Sequence, residues 1–185
     1  IHLAGAEARG RPRYLSQVDI QGTETLISAL RQRRVNQLIV ISRLNAQPNA
    51  THTLLRAKGI VEQAVMESGL PYTILRCATL FGRDDRFTNA IATTAAWTWP
   101  FVLLPGGGQS AMQPLWVEDA AHCIVAAINN PILVNQRIDL AGDERIHYRD
   151  IVQQVLQAAN LNRYSLNARP VLARILNRGS AWAFR

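Results

Sequence analysis

The residues that could do chemistry are few. Lys58 is the single lysine of the chain, every other basic side chain being an arginine. If the stretch Leu54–Val65 is helical, then Leu54, Val61 and Val65 share the face of Lys58, an apolar face made to pack on a sheet. A lysine there must run along the surface to water or find a polar partner. Ser42 ends an apolar run. Arg76, Cys77, Ala78 and Thr79 follow another, at the carboxyl end of a strand, where open α/β sheets bind their ligands. Ala4 and Gly5, small residues closing a short apolar segment, permit close approach of a ligand or of another backbone. Asp84 and Asp85 look like a paired acid, but adjacent residues of an extended segment point opposite ways, so they read as loop and helix-capping residues. Cys77 and Cys123 are too far apart for a metal or redox motif, and His2, His52, His122 and His147 lack ligand spacing; no metal is expected.

The elements that must position these groups alternate. Ile1–Leu3 reads as a strand. Gln17–Leu30 reads as a helix with Val18, Leu26, Ile27 and Leu30 inward. Leu38–Ile41 is apolar throughout, as a strand covered on both faces should be. The helix bearing Lys58 follows, stopped by Ser68, Gly69 and Pro71, and then the strand Tyr72–Leu75. This βαβαβ order requires a parallel sheet with right-handed crossovers. From Arg83 the pattern changes. A helix over Phe87–Trp97, a strand over Phe101–Leu104, a turn at Gly106–Gly108 and an extended Pro114–Trp116 come in succession. A helix over Val117–Asn129, a strand over Arg137–Leu140 and a helix over Tyr148–Ala159 follow, and the tail from Arg169 is amphipathic. The expected organisation is residues 1–82 as part of a Rossmann-type domain and residues 83–185 as a smaller, substrate-side lobe with segments returning to the sheet.

A net charge of +7 invites a nucleic-acid reading. The arginines are scattered among acidic residues, however, and no basic stripe with spaced aromatics appears, so a nucleic-acid-binding module is a minor alternative. No apolar run is long enough for a membrane span. Two cysteines in apolar runs suit buried free thiols and a reducing, cytoplasmic setting.

Four pieces together resemble the short-chain dehydrogenase/reductase superfamily in its extended and atypical branches. They are His2-Leu3-Ala4-Gly5; Asp19-Ile20-Gln21-Gly22-Thr23; Ser42 followed by Lys58; and Pro71–Gly82 with Pro114–Ala120 further on. The closest likeness is to the NAD(P)-binding, NmrA-like group and the related accessory subunit of respiratory complex I. The resemblance implies a doubly wound, mainly parallel Rossmann-type sheet. It also implies NAD or NADP as cofactor, catalytic roles for Ser42 and Lys58, and cofactor contacts from Ala4, Gly5, Ser42, Lys58, Arg76, Cys77, Ala78 and Thr79. Lys58 would hold the nicotinamide ribose.

Two departures bear on function. The superfamily's Tyr, four residues before the Lys, exchanges a proton with substrate; here that position is Leu54, which has none to give. The family's glycine-rich loop is absent from these residues, and it would precede His2 by about sixty residues on the family pattern. The chain is therefore expected to be the later part of a longer protein. Two uses follow: a non-catalytic dinucleotide-binding protein that senses redox state or stabilises an assembly, or an NAD(P)-dependent oxidoreductase or epimerase- or dehydratase-like enzyme. The partners are a dinucleotide and either a small-molecule substrate or an assembly partner. For Arg76 the alternative to cofactor contact is a structural pairing with a carboxylate such as Asp119.

Overall fold

Two apolar runs with alternating loyalties form the centre of the sheet. In the computed structural model, which describes residues 1–7 and 11–168, strand β1 (Leu38–Arg43) pairs in parallel with β2 (Tyr72–Cys77). The segment Ile1–Leu3 contributes a single parallel bridge, His2 to Val40, on the outer side of β1. Helix α1 (Gly22–Arg31) precedes β1, and α2 (Thr53–Met66) joins β1 to β2. The parallel order expected from the sequence is thus present, and helices supply the crossovers.

Alternation along β1 shows why its whole length is apolar. Val40 and Leu38 pack with Ile74, Val61, Val65 and Ile27, beneath α1 and α2. Ile39 packs the other way, with Leu75 and Ala127 of helix α4 (Val117–Ala127). A strand covered on both faces has no solvent side to mark with polar residues.

The segment before α1 departs from a simple helix. Residues Leu15–Gln21 form a π-helical stretch that runs directly into α1. Wider turns of this kind re-aim side chains, and here both Leu15 and Asp19 are buried. Periodicity over Gln17–Leu30 predicts a regular helix, because a one-residue widening leaves no signature in hydrophobic spacing.

Contact density divides the chain into two units: Ile1–Ala78 with Leu115–Ala141, and Thr79–Pro114 with the chain from Gly142 onward. The division falls a few residues before Gly82, and the segment 115–141 belongs with the first unit. It supplies α4 and strand β4 (Gln136–Leu140), which pairs in parallel with β2, giving the order β1–β2–β4.

The second unit is built on α3 (Arg86–Trp97), strand β3 (Phe101–Pro105), α5 (Tyr148–Ala158) and strand β5 (Tyr164–Ala168), with β3 and β5 parallel. Its core joins Ile91 and Ala95 to Val102, Leu104, Ile151, Val152 and Leu156. Asp85 caps α3, its carboxylate accepting from the backbone N–H of Thr88 at 2.6 Å and the Thr88 hydroxyl at 2.5 Å. Burial alone would raise its pKa, but these bonds and the Gly82 N–H hold it below the usual carboxylate value. Gly106, Gly107 and Gly108 all have positive φ, between 58° and 69°, and make the turn after β3 that three glycines permit at no steric cost. The amphipathic tail expected from Arg169 lies outside the described residues.

Candidate functional site

Helix α2 organises two polar groups of the first unit. Lys58 points inward and is 6% exposed. Its Nζ lies 3.0 Å from Asp19 Oδ1 and 3.3 Å from Glu7 Oε1. Asp19 comes from the π-helical segment and is itself buried, its Oδ2 accepting from the Ala6 N–H at 2.9 Å. Glu7 is half in solvent and also pairs with Arg43 at 3.1 Å, just past Ser42 on β1. Nearby, His2 Nε2 sits 2.9 Å from the Thr23 hydroxyl, which donates to the Asp19 carbonyl. Burial, then the Lys58 charge, depresses the His2 pKa, with Asp19 pulling the other way.

Gly5 matters here for its missing side chain. A Cβ at this position would lie 3.1 Å from Asp19 Oδ1 and 3.2 Å from Lys58 Nζ. The ion pair therefore packs directly against the Gly5 backbone, in space that a side chain would contest. Asp19 Oδ1 is buried and accepts no hydrogen bond of good geometry, although the Lys58 ammonium neutralises it.

The second group lies one helical turn further along α2. Glu62, 1% exposed, accepts from the Ser42 hydroxyl at 2.5 Å. Arg76 grips the same carboxylate through Nε at 3.0 and 3.1 Å and through Nη2 at 2.5 Å. Its Nη2 also donates to the Ala46 carbonyl at 3.3 Å. The bond to Glu62 raises the Arg76 pKa above its ordinary value. The loop carrying Ala46 comes in close because α2 has Gly59 there; a Cβ on Gly59 would fall 2.1 Å from a Gln47 backbone carbon.

The candidate residues are thus distributed unevenly. Gly5 and Lys58 come together, with Glu7 and Asp19, which sequence reasoning did not assign to the site. Ser42 and Arg76 come together on Glu62, also unassigned. Arg76 pairs with Glu62 and not with a carboxylate such as Asp119: β2 and α2 are adjacent elements, whereas Asp119 is exposed at the start of α4. A signal for Glu62 was present, since it stands four residues after Lys58 on one helix face. That spacing suggests a Lys58–Glu62 pair, yet each side chain takes partners from other elements. Ala4 is exposed, while Cys77 and Ala78 are buried, Ala78 donating its N–H to Leu140 at 2.8 Å. Thr79 begins the second unit.

Burial, reinforced by neighbouring Cys123, pushes the Cys77 thiol up to about 11. Iodoacetamide at pH 8 is expected to modify the half-buried Cys123 well before Cys77, read by peptide mass spectrometry. Equal labelling of both would contradict the assignment. Because the folded pKa lies above the ordinary 9.0, the unfolded chain loses this proton first as pH rises. The thiol's share of stability is complete below pH 9 and is lost between about 9 and about 11.

With this geometry in place, comparison with known proteins identifies the class. A family model described as NAD(P)H-binding matches residues 3–131, and the chain belongs to that family, as a protein of the atypical short-chain dehydrogenase type. It is 29% identical over 145 residues to the mouse protein "NADH dehydrogenase [ubiquinone] 1 alpha subcomplex subunit 9, mitochondrial", a match covering 78% of this chain and 38% of the mouse protein. It is 34% identical over 70 residues to photosystem II assembly factor Ycf39 of Cyanophora paradoxa, covering 38% of this chain and 22% of that protein. This chain therefore spans well under half the length of these relatives. In structure it is similar to UDP-glucuronic acid 4-epimerase from Bacillus cereus, solved with UDP-glucuronic acid and NAD. The TM-score is 0.76 at 18% identity, covering 91% of this chain and 62% of the epimerase. At that identity the likeness establishes the fold.

Proposed function

We propose that this chain supplies the nicotinamide-side half of an NAD(P) site in a protein that binds the dinucleotide without turning over a substrate, and that serves a multi-subunit assembly. The observation that carries the reading is Leu54. It stands one turn before Lys58 on α2, packed against Leu15 and Ala57, where an acid/base side chain would need to be. Lys58 remains, neutralised by two carboxylates. The residues offer a ribose a donor in Lys58 and an acceptor in the more exposed Glu7, with buried Asp19 holding the ammonium in place. When bound, the dinucleotide supplies hydride chemistry; the chain's own residues hold and orient it.

Ser42 and Arg76 take structural roles in this reading, tying β1 and β2 to α2 through Glu62. The names of the mouse and Cyanophora relatives, a respiratory-complex subunit and an assembly factor, support an assembly role and a protein partner. The alternative, an active oxidoreductase or epimerase-like enzyme, draws on the retention of Lys58 and on the epimerase fold.

Consumption of NADH or NADPH in the presence of a panel of aldehydes, ketones and quinones separates the two. The wild type is expected to show no rate above background. Leu54→Tyr restores a proton donor at the vacant position, so activity only in this variant would mark a once-catalytic site. Turnover by the wild type would overturn the non-catalytic reading.

A further inference from the structure

The second unit encloses a cleft of about 580 Å³, of the size that holds a small organic molecule. Its floor is apolar: Phe87 and Ala92 from α3, Ile146, and Ile151 and Val155 from α5. Polar groups are sparse. Asn89 and Gln154 offer amides, and Asp143 and Glu144, both exposed, are the charged residues of the lining. Among the described residues, no lysine, arginine or histidine lines it.

That distribution discriminates by charge. A phosphate ester placed here would bring anionic oxygens beside two carboxylates, with no cation among the described lining residues to receive them, and like charges at such range repel. A cation would instead gain two attractive charges and the aromatic neighbours Phe81 and Phe87, which also line the cleft. The contrast is local, because the chain as a whole carries +7 and repels small cations elsewhere.

We propose that this cleft binds an apolar organic cation, an aromatic or alicyclic body bearing an amine or quaternary nitrogen, and that it rejects nucleotide sugars. The proposal is independent of whether the first unit uses its dinucleotide for catalysis or for assembly, and its test needs no dinucleotide.

Berberine, a planar quaternary cation that fluoresces on leaving water, is the probe, with 1-anilinonaphthalene-8-sulfonate as its anionic counterpart. Titration of the whole chain is expected to give saturable, one-to-one enhancement with berberine, at least about tenfold tighter than with the sulfonate. The double variant Asp143→Asn/Glu144→Gln, altered only at exposed positions, should weaken berberine by about fivefold to tenfold and close the gap between the two dyes. Ala92→Phe, which fills the floor, should abolish both. UDP-glucuronic acid should not displace berberine. The proposal is overturned if berberine does not saturate, if the sulfonate binds as tightly, if UDP-glucuronic acid competes, or if the charge-neutralised variant keeps full affinity.

Discussion

Lys58→Met is expected to lower the thermal midpoint by roughly 6–20 °C, from a loss of about 3–5 kcal/mol on breaking a buried ion pair in a chain of this size. The cost comes from Asp19. Its side chain is 1% exposed, and without the ammonium 3.0 Å away it keeps, among the described residues, the Ala6 N–H as donor. Glu7 contributes little to the loss, because it is 36% exposed and retains Arg43. Adding Asp19→Asn to Lys58→Met removes the stranded charge and should recover most of the midpoint. Differential scanning calorimetry of wild type, both single variants and the double variant measures the coupling. Strict additivity would show that the pair is not coupled in the folded protein.

Arg76→Met should be nearly as damaging, costing about 3 kcal/mol and roughly 6–12 °C. Glu62 is then left enclosed with the Ser42 hydroxyl, and with Arg137 at 3.9 Å as a more exposed cation. Arg137 moderates the loss without replacing the grip of Arg76, which ties β2 to α2 and to the loop at Ala46. Replacing both members, Arg76→Met with Glu62→Leu, leaves no uncompensated charge and should restore stability to within about 1 kcal/mol of wild type. A double variant as unstable as Arg76→Met would assign the effect to packing of the arginine stem.

The parts of the fold visible in the sequence were those whose physics is local. Leu38–Ile41 and Tyr72–Leu75 read as strands because parallel strands covered on both faces are apolar without interruption. Ser68, Gly69 and Pro71 stopped α2 by backbone chemistry alone. The inward position of Lys58 followed from helical spacing. What spacing could not supply was the identity of partners. Asp19 reaches Lys58 only through a π-helical widening that periodicity does not register, and Glu7 lies in a loop with no pattern. Ser42, Glu62 and Arg76 sit on three different elements and meet only after β1, α2 and β2 have packed. For the same reason a carboxylate partner for Arg76 was legible, but not that it would be Glu62 in place of Asp119. The place of Leu54 one turn before Lys58 was legible, since it needs only their spacing along one helix.

The most direct test of the dinucleotide site proposed at Lys58 is saturation-transfer difference NMR of NADH with the 185-residue chain. It detects weak binding and reports which part of the ligand touches protein. The nicotinamide-ribose protons are expected to receive the strongest saturation and the adenine protons the weakest, because the proposed site puts Lys58 and Glu7 at the ribose, while the described residues hold no glycine-rich loop opening a helix for the pyrophosphate. The pattern should vanish in the Lys58→Met/Asp19→Asn variant, which keeps the fold. Saturation concentrated on adenine, or an unchanged pattern in that variant, would place the dinucleotide elsewhere and contradict the assignment.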